Sequence, residues 1–109
     1  MTQDKIDEFD EKSFETDVLA SDGLTVVDFW GEACVSCKQL RKVLNQLSDD
    51  VPANVRLGAV NATAYPDLAE RYGVRGVPTL LFFKDGKVVD MRTGVDRRQV
   101  LKKLVETHA

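Results

Sequence analysis

Between Leu24 and Leu47 the chain reads LTVVDFWGEACVSCKQLRKVLNQL, and this stretch decides how the rest of the sequence is interpreted. The β-branched and aromatic run Leu24–Trp30 predicts a buried strand. From Cys37 onward, apolar residues recur at helical spacing and predict a long amphipathic helix, at Leu40, Val43, Leu44 and Leu47. The two cysteines, Cys34 and Cys37, therefore lie between the end of a strand and the start of a helix.

Upstream of this stretch, two short elements are expected. Ser13 is a suitable N-cap for a short helix over Phe14–Ala20, which Gly23 would end. The segment Lys5–Phe9 is interpreted as a first strand at the edge of a sheet.

Downstream, Asp49, Asp50 and Pro52 end the long helix, and the remaining elements follow in the order strand, helix, strand, strand, helix. The predicted strands cover Val55–Val60, Thr79–Phe83 and Val88–Arg92, and the predicted helix between the first two covers Pro66–Tyr72. The run Lys84-Asp85-Gly86-Lys87 contains the Asp-Gly signal of a tight hairpin.

The last helix is predicted from a polar start and an apolar face. Asp96, followed by Gln99 three residues later, resembles a capping box. The apolar face consists of Val100, Leu101, Leu104 and Val105.

The element order β-α-β-α-β-α-β-β-α predicts an α/β fold. Strands separated by helices imply parallel pairing with right-handed crossovers, and the terminal hairpin adds an antiparallel edge. We expect a central mixed sheet of about five strands with helices on both faces, which is a three-layer α/β/α sandwich. At 109 residues, the chain fits one domain spanning residues 1–109.

Composition excludes some classes of partner. Apolar residues make up 43% and charged residues 30% of the chain, as in ordinary globular proteins. The net charge is −3 and no basic stripe is visible, which argues against nucleic acid as a partner. The start, Met1–Glu8, is polar and acidic, unlike a secretory signal, and apolar runs such as Leu80–Phe83 are too short to cross a bilayer. We expect a cytoplasmic protein without a membrane partner.

Cys34 and Cys37 are the two cysteines of the chain. A disulfide that closes so short a loop removes little unfolded-state entropy, so the pair is a poor structural staple. In a cytosolic chain, Cys-x-x-Cys indicates redox or metal chemistry. At the start of a helix, this spacing places the two Cα atoms roughly 5–6 Å apart, within the range that a disulfide accepts. The positive end of the helix dipole would also stabilise a thiolate at Cys34, the reactive form.

Asp28 interrupts the predicted buried strand, where a charge without a partner is costly. On a strand, Asp28 shares one face with Val26 and Trp30. A desolvated carboxyl has a raised pKa, which suits a proton shuttle beside the cysteines. The alternative is a structural aspartate bonded to nearby backbone.

Three segments together resemble the thioredoxin family over about Phe14 to Leu104. They are the active-site segment Asp28–Lys38, which reads DFWGEACVSCK; the cis-proline segment Tyr72–Leu80, which reads YGVRGVPTL; and Gly94 before the last helix. Cys-x-x-Cys alone is a weak motif, but the three segments in this order are a strong one.

The resemblance implies a role for each matching residue. Cys34 would attack a substrate disulfide, Cys37 would resolve the mixed disulfide, and Asp28 would assist deprotonation of Cys37. Pro78 would be cis and packed against the sulfurs, and the backbone of Val77 would pair with an extended substrate segment. The apolar docking surface would consist of Val35, Val77, Pro78, Gly94 and Val95, with Trp30 and Ser36 as structural support.

The resemblance also implies the partners of the reaction. Substrates would be disulfide-containing proteins, and electrons would come from NADPH through a flavoprotein of the thioredoxin reductase type. No bound cofactor or metal is expected in this chain, and the protein would act as a monomer.

Five positions depart from the family pattern. Ala33 replaces the tryptophan before the first cysteine, and Val35-Ser36 replaces Gly-Pro between the two, which removes rigidity and adds a hydroxyl near the thiolate. Lys42 replaces a proline, so the second helix is expected to be straighter. Ala59 replaces a lysine that pairs with the buried aspartate, so Asp28 is expected to be harder to ionise, with a strongly raised pKa.

Three other functions remain open at this point. The Val-Ser pair and the missing tryptophan favour a dedicated electron carrier or oxidant for one partner. A zinc site needs four ligands, whereas the chain offers two cysteines and His108 in a predicted tail, and an iron–sulfur cluster would have to be shared between two chains. A non-catalytic binding module would not need both thiols.

Overall fold

The structure of the chain, a computed structural model, describes residues 4–109. Met1, Thr2 and Gln3, the first residues of the polar segment Met1–Glu8, lie outside the described residues. Within the described part, five strands form one sheet in the order β1-β3-β2-β4-β5, flanked by four helices. The strands are β1 Asp7–Phe9, β2 Leu24–Trp30, β3 Arg56–Asn61, β4 Thr79–Lys84 and β5 Lys87–Thr93.

The helices lie on both faces of this sheet. Helix α1 begins as Glu11–Phe14 and continues as a π-helical segment, Glu15–Leu19. The others are α2 Val35–Leu47, α3 Pro66–Arg71 and α4 Arg98–His108. Side chains of α1 and α3 pack on the face of β2 that carries Val27 and Phe29, and side chains of α2 and α4 pack on the face that carries Val26. The predicted three-layer α/β/α sandwich is confirmed.

The pairing of β4 differs from the prediction. Strands β1, β3 and β2 are parallel, as expected, but β4 is antiparallel to β2, with Phe29 opposite Thr79. Helix α3 has six residues and advances only about 9 Å, so it does not carry the chain back along the sheet. Strand β4 therefore starts at the end of the sheet where β2 and β3 finish, beside the cysteines.

Two helix starts also differ from the prediction. Asp10, rather than Ser13, is the N-cap of α1, because its carboxylate accepts a hydrogen bond from the Ser13 backbone N–H (2.7 Å) while the Ser13 hydroxyl accepts one from the Asp10 N–H (2.9 Å). Ser13 is thus the third residue of a reciprocal cap. The predicted capping box at Asp96 is wrong, because its carboxylate accepts two hydrogen bonds from Arg92 (2.8 and 3.0 Å) and α4 starts after Arg97 without a side-chain cap.

Local conformation and contacts explain the turn between β4 and β5 and the end of α4. Asp85 and Gly86 have φ angles of 52° and 78°, the left-handed backbone that a two-residue hairpin turn requires. The predicted hairpin is confirmed. His108, expected in a tail, lies in α4 with its Nε2 2.9 Å from a carboxylate oxygen of Asp90.

Candidate active site

The two cysteines sit at the first turn of α2 and are bonded to each other. Cys34 is the N-cap residue, and Ala33 before it has a left-handed φ of 57° that turns the chain from β2 into the helix. The Cα atoms of Cys34 and Cys37 are 5.2 Å apart, as the spacing predicts. Cys34 is half-buried, whereas Cys37 is only 4% exposed. One sulfur is therefore open to another protein and the other is enclosed.

The sulfur of Cys34 occupies the position that a capping oxygen usually takes. It accepts a hydrogen bond from the backbone N–H of Cys37 at 3.2 Å, and the Ser36 hydroxyl oxygen lies 3.5 Å away. Helix N-termini carry unpaired N–H groups and a partial positive charge. An anionic sulfur at Cys34, present once the disulfide is reduced, would be stabilised by both features and by the Ser36 hydroxyl.

The cis-proline segment lies beside this turn because β4 starts next to the end of β2. The Val77–Pro78 peptide bond is cis, and the side chain of Val77 lies against Gly31, where an added Cβ would be 3.1 Å from Val77 Cγ2. The N–H of Gly94 donates to the carbonyl of Pro78 at 3.0 Å. Val77, Pro78 and Gly94 thus line one groove of about 350 Å³.

The rim around the cysteines is apolar and exposed. Val35 is 73% exposed and Val77 is 39% exposed. A second cleft of about 250 Å³ is lined by Trp30, Ala33, both cysteines and Arg41, among others. Trp30 is half-buried there, and its indole N–H donates to Glu8 at 3.2 Å.

Asp28 is fully buried under α2, on the face of β2 that it shares with Val26 and Trp30. Its neighbours on the two adjacent strands are uncharged, Ala59 on β3 and Leu80 on β4. Burial raises the pKa of Asp28 from its ordinary 3.8 to about 7, Arg41 opposes this shift, and Glu8 adds to it. The direction of this shift is the one expected from the sequence.

Asp28 is nevertheless not left without a cation. Arg41 lies one turn beyond Cys37 on α2, and its Nε is 3.8 Å from Asp28 Oδ2. The same guanidinium donates to Asp4 at 2.7 Å and to Glu8 at 2.8 Å. The positive charge that the family lysine would supply at the position of Ala59 on β3 is thus supplied by Arg41 on α2. Sequence reasoning missed Arg41 and Glu8. A signal for Arg41 was present, because Cys37 and Arg41 are four residues apart and therefore lie on the same face of α2.

All the predicted site residues meet at one end of the sheet. Asp28, Trp30 and the turn residues come from β2 and α2, and Val77, Pro78 and Gly94 come from the segments that flank β4 and β5. The family model described as thioredoxin matches residues 5–107. The chain belongs to the thioredoxin family.

Named thioredoxins from several bacteria are similar to the chain over most of its length. It is 37% identical to the thioredoxin of Chlorobaculum thiosulfatiphilum over 98 residues, which is 90% of this chain and 91% of that protein. It is 40% identical to the thioredoxin of Rhodospirillum rubrum over 88% of this chain and 92% of that one. For the thioredoxin of Pseudomonas aeruginosa the identity is 40%, over 77% and 78% of the two chains.

Family membership and the bonded cysteine pair together establish the activity. The chain is a thiol–disulfide oxidoreductase that uses Cys34 and Cys37. Across residues 4–109, no three His, Cys, Asp or Glu side chains lie close enough to hold a metal ion. No helix in the same range has the length and apolar composition needed to span a membrane.

Proposed function

We propose that the chain acts as a general reductant of protein disulfides, with Cys34 as the attacking thiol and Cys37 as the resolving thiol. The observation that carries this assignment is the contrast between the two sulfurs. Cys34 is half-buried at the helix N-terminus and Cys37 is almost fully enclosed behind it. An incoming disulfide meets Cys34 first, and the intramolecular step is left to Cys37.

The first step forms a mixed disulfide. The thiolate of Cys34 attacks one sulfur of the substrate disulfide, a bond forms between them, and the substrate S–S bond breaks. The second substrate sulfur leaves as a thiolate and takes a proton from solvent. The backbone N–H of Cys37 and the Ser36 hydroxyl, which both lie next to Cys34 Sγ, support the attacking anion.

The second step releases the substrate. Cys37 gives its proton to the carboxylate of Asp28, and the resulting thiolate attacks Cys34 Sγ and displaces the substrate as a thiol or thiolate. Two electrons have then passed from the Cys34–Cys37 dithiol to the substrate. Asp28 suits this role because a pKa of about 7 lets the carboxyl both accept and return a proton near neutral pH.

Substrate docking is assigned to the apolar rim. The docking surface would consist of Val35, Val77, Pro78 and Gly94. Val35 and Val77 are exposed, and Val77 lies just before the paired residues of β4, which starts at Thr79. An extended substrate segment would pair with the backbone of Val77 as an added strand. Trp30 would support the turn from below through its bond to Glu8.

The cycle would be closed by a reductase. We propose that a flavoprotein of the thioredoxin reductase type, using NADPH, returns the pair to the dithiol form, so that this chain itself binds no cofactor. The chain would function in the cytoplasm as a monomeric domain spanning residues 1–109, with neither membrane nor nucleic acid as a partner. Its acidic composition, with a net charge of −3, supports the last point.

A second candidate is a dedicated electron carrier or oxidant for one partner. The Ser36 hydroxyl at 3.5 Å from Cys34 Sγ favours it, because stabilisation of the thiolate stabilises the reduced form and raises the reduction potential. The midpoint potential against glutathione separates the two. A value well below the glutathione potential supports the general reductant, and a value near it supports the dedicated carrier.

The proposed roles are tested by reduction of insulin disulfides with dithiothreitol as the electron source. Cys34→Ser should abolish turnover, and Cys37→Ser should accumulate a mixed disulfide with the substrate, visible as an added mass that a reductant removes. Lys42→Ala, which changes an exposed position on α2, should retain full turnover. If Cys34→Ser kept activity, or if the adduct formed on Cys37 instead, the assignment would be wrong.

A further inference from the structure

Arg41 connects the amino-terminal segment, β1 and the first turns of α2 to the buried carboxyl. Its Nη1 donates to Asp4 at 2.7 Å and its Nη2 to Glu8 at 2.8 Å, while its Nε lies 3.8 Å from Asp28 Oδ2. The guanidinium carbon is 5.7 Å from the centre of the Trp30 ring, within cation–π range. These four contacts, one with the amino-terminal segment, one with β1 and two with β2, fix the direction of this side chain.

The contact with Asp28 is an ion pair without a hydrogen bond. At 3.8 Å the Nε of Arg41 is too far from the carboxylate to donate to it. Among residues 4–109, both oxygens of Asp28 and the Nε of Arg41 are buried without a hydrogen-bond partner. A buried charge that lacks hydrogen bonds depends on nearby opposite charge, and Arg41 is the cation in contact with Asp28 within this range.

We propose that Arg41 is a positioning residue for the resolving step, in which its guanidinium, held in place by Asp4 and Glu8, keeps the buried carboxyl of Asp28 able to ionise and so to accept the proton of Cys37. The inference rests on the proposed role of Asp28. It assigns the positive charge that favours ionisation of Asp28 to Arg41 on α2, rather than to the β3 position that Ala59 occupies.

The charges that face Asp28 come from a small number of elements. Helix α2 contributes Arg41 and β1 contributes Glu8. The adjacent strand positions, Ala59 and Leu80, are apolar, as are the buried residues of α4, Leu101 and Val105. Arg41 lowers the pKa of Asp28, while burial and Glu8 raise it. Removal of Arg41 therefore leaves only influences that favour the protonated form.

The direction of the pH effect follows from this balance. A proton acceptor works when it is deprotonated, so the rate of the resolving step rises as Asp28 ionises. In the wild type this rise is centred near the pKa of Asp28, about 7. Without Arg41 the rise should move to higher pH by about one pH unit or more. A shift of one unit should then make resolution about five-fold slower at pH 7, and the rate should recover at pH 9.

The test uses single-turnover release of a substrate from the Cys34 mixed disulfide, followed as a function of pH. Arg41→Met should shift the midpoint upward, while the rate of the first attack by Cys34 stays the same. Lys42→Met is the matched control, since it removes an exposed positive charge from the next position of the same helix, and it should leave the midpoint unchanged. Arg41→Gln serves as a second variant with less change in polarity and should show the same upward shift.

Rescue distinguishes charge from shape. Arg41→Lys should keep the midpoint close to that of the wild type. Addition of Ala59→Lys to Arg41→Met should move the midpoint back down, because Ala59 is in register with Asp28 and would supply an ammonium from the other side. Carbon NMR of the Asp28 carboxyl should show the same order of variants independently of activity.

The outcomes separate this inference from the function on which it rests. If Asp28→Asn slows resolution but Arg41→Met and Arg41→Gln leave the midpoint unchanged, the inference about Arg41 is wrong and the role of Asp28 stands. If Asp28→Asn leaves the rate and its pH profile unchanged, the proposed role of Asp28 fails. An upward shift in both Arg41 variants, with rescue by Ala59→Lys, supports the inference.

Discussion

On one face of β2, Val27 and Phe29 are fully buried among aromatic side chains, whereas on the opposite face Val26 and Trp30 flank the equally buried carboxyl of Asp28. The first face packs against Phe14 of α1, and the second lies under α2, which carries the cysteines. Val26 and Asp28 are as deeply buried as Val27 and Phe29, so burial alone does not distinguish the two faces. They differ in the polar group that each encloses. The carboxyl of Asp28 can ionise, whereas the hydroxyl of Thr25, on the face of Val27 and Phe29, cannot do so near neutral pH.

The difference indicates how the strand divides its two tasks. The aromatic face stabilises the fold by packing and needs no charge. The face under α2 encloses a carboxyl with a pKa of about 7, which a purely structural sheet has no reason to keep. Substitutions on the two faces should therefore change the free energy of unfolding by different amounts and with a different dependence on pH. Each of the following experiments tests that distinction.

The largest effect is expected from Phe14→Ala. Phe14 is fully buried, and its ring centre lies 5.4 Å from that of Phe83 and 5.6 Å from that of Tyr72. Truncation should lower the free energy of unfolding by about 3–5 kcal/mol, equally at pH 5 and pH 9. Urea denaturation at both pH values measures it. A loss under about 1.5 kcal/mol, the range of volume-conserving swaps, would show that the aromatic cluster is not the anchor of this face.

The next effect has the opposite sign and depends on pH. Because the folded-state pKa of Asp28 lies above the ordinary 3.8, the native state keeps a proton that the unfolded chain has lost, and stability falls as pH rises from 3.8 to about 7. Asp28→Asn removes this decline. The variant should gain about 2–4 kcal/mol relative to the wild type between pH 4 and pH 9.

Denaturation of the two proteins at pH 4, 7 and 9 gives the comparison for Asp28→Asn. The gain should be nearly complete by pH 8, because the folded-state carboxyl is then mostly ionised. Loss of the resolving activity in the same variant would show that stability is given up for chemistry at this position. A difference in stability that is constant with pH would contradict the raised pKa.

The sequence predicted those parts of the molecule that depend on local pattern. The bounds of β2, Leu24–Trp30, follow from one run of β-branched and aromatic residues, and the hairpin at Asp85-Gly86 follows from the left-handed backbone that such turns require. The position of Cys34 at the helix start follows from the apolar spacing after Cys37. Each of these features is decided within a few residues.

The features that the sequence did not predict depend either on competition between possible hydrogen-bond partners or on how far a long side chain extends. Asp10 and Ser13 are both good caps, and the reciprocal bond between them decides which one begins α1. Asp96 matches a capping pattern, but Arg92 donates hydrogen bonds to both oxygens of its carboxylate, and α4 starts without a side-chain cap. Arg41 reaches Asp28 with a long side chain across the space between a helix and a sheet, and periodicity carries no information on where such a side chain ends. The straighter α2 expected from Lys42 stays a prediction.

The smallest effect is expected from Thr25→Val, and it sharpens the comparison most directly. Thr25 lies on the same face as Val27 and Phe29, is 1% exposed, and its hydroxyl has no hydrogen-bond partner among residues 4–109. An unpaired buried hydroxyl is destabilising, so the isosteric valine should raise the free energy of unfolding by about 1 kcal/mol.

Unlike the gain from Asp28→Asn, the gain from Thr25→Val should be the same at pH 4 and pH 9, because a hydroxyl does not titrate in this range, and turnover should not change. Thermal and urea denaturation of both variants under identical conditions measure the two gains side by side. If the gain at Thr25 varied with pH as the gain at Asp28 does, the pH dependence would belong to the strand as a whole. The two faces of β2 would then not differ in the way that their buried polar groups imply.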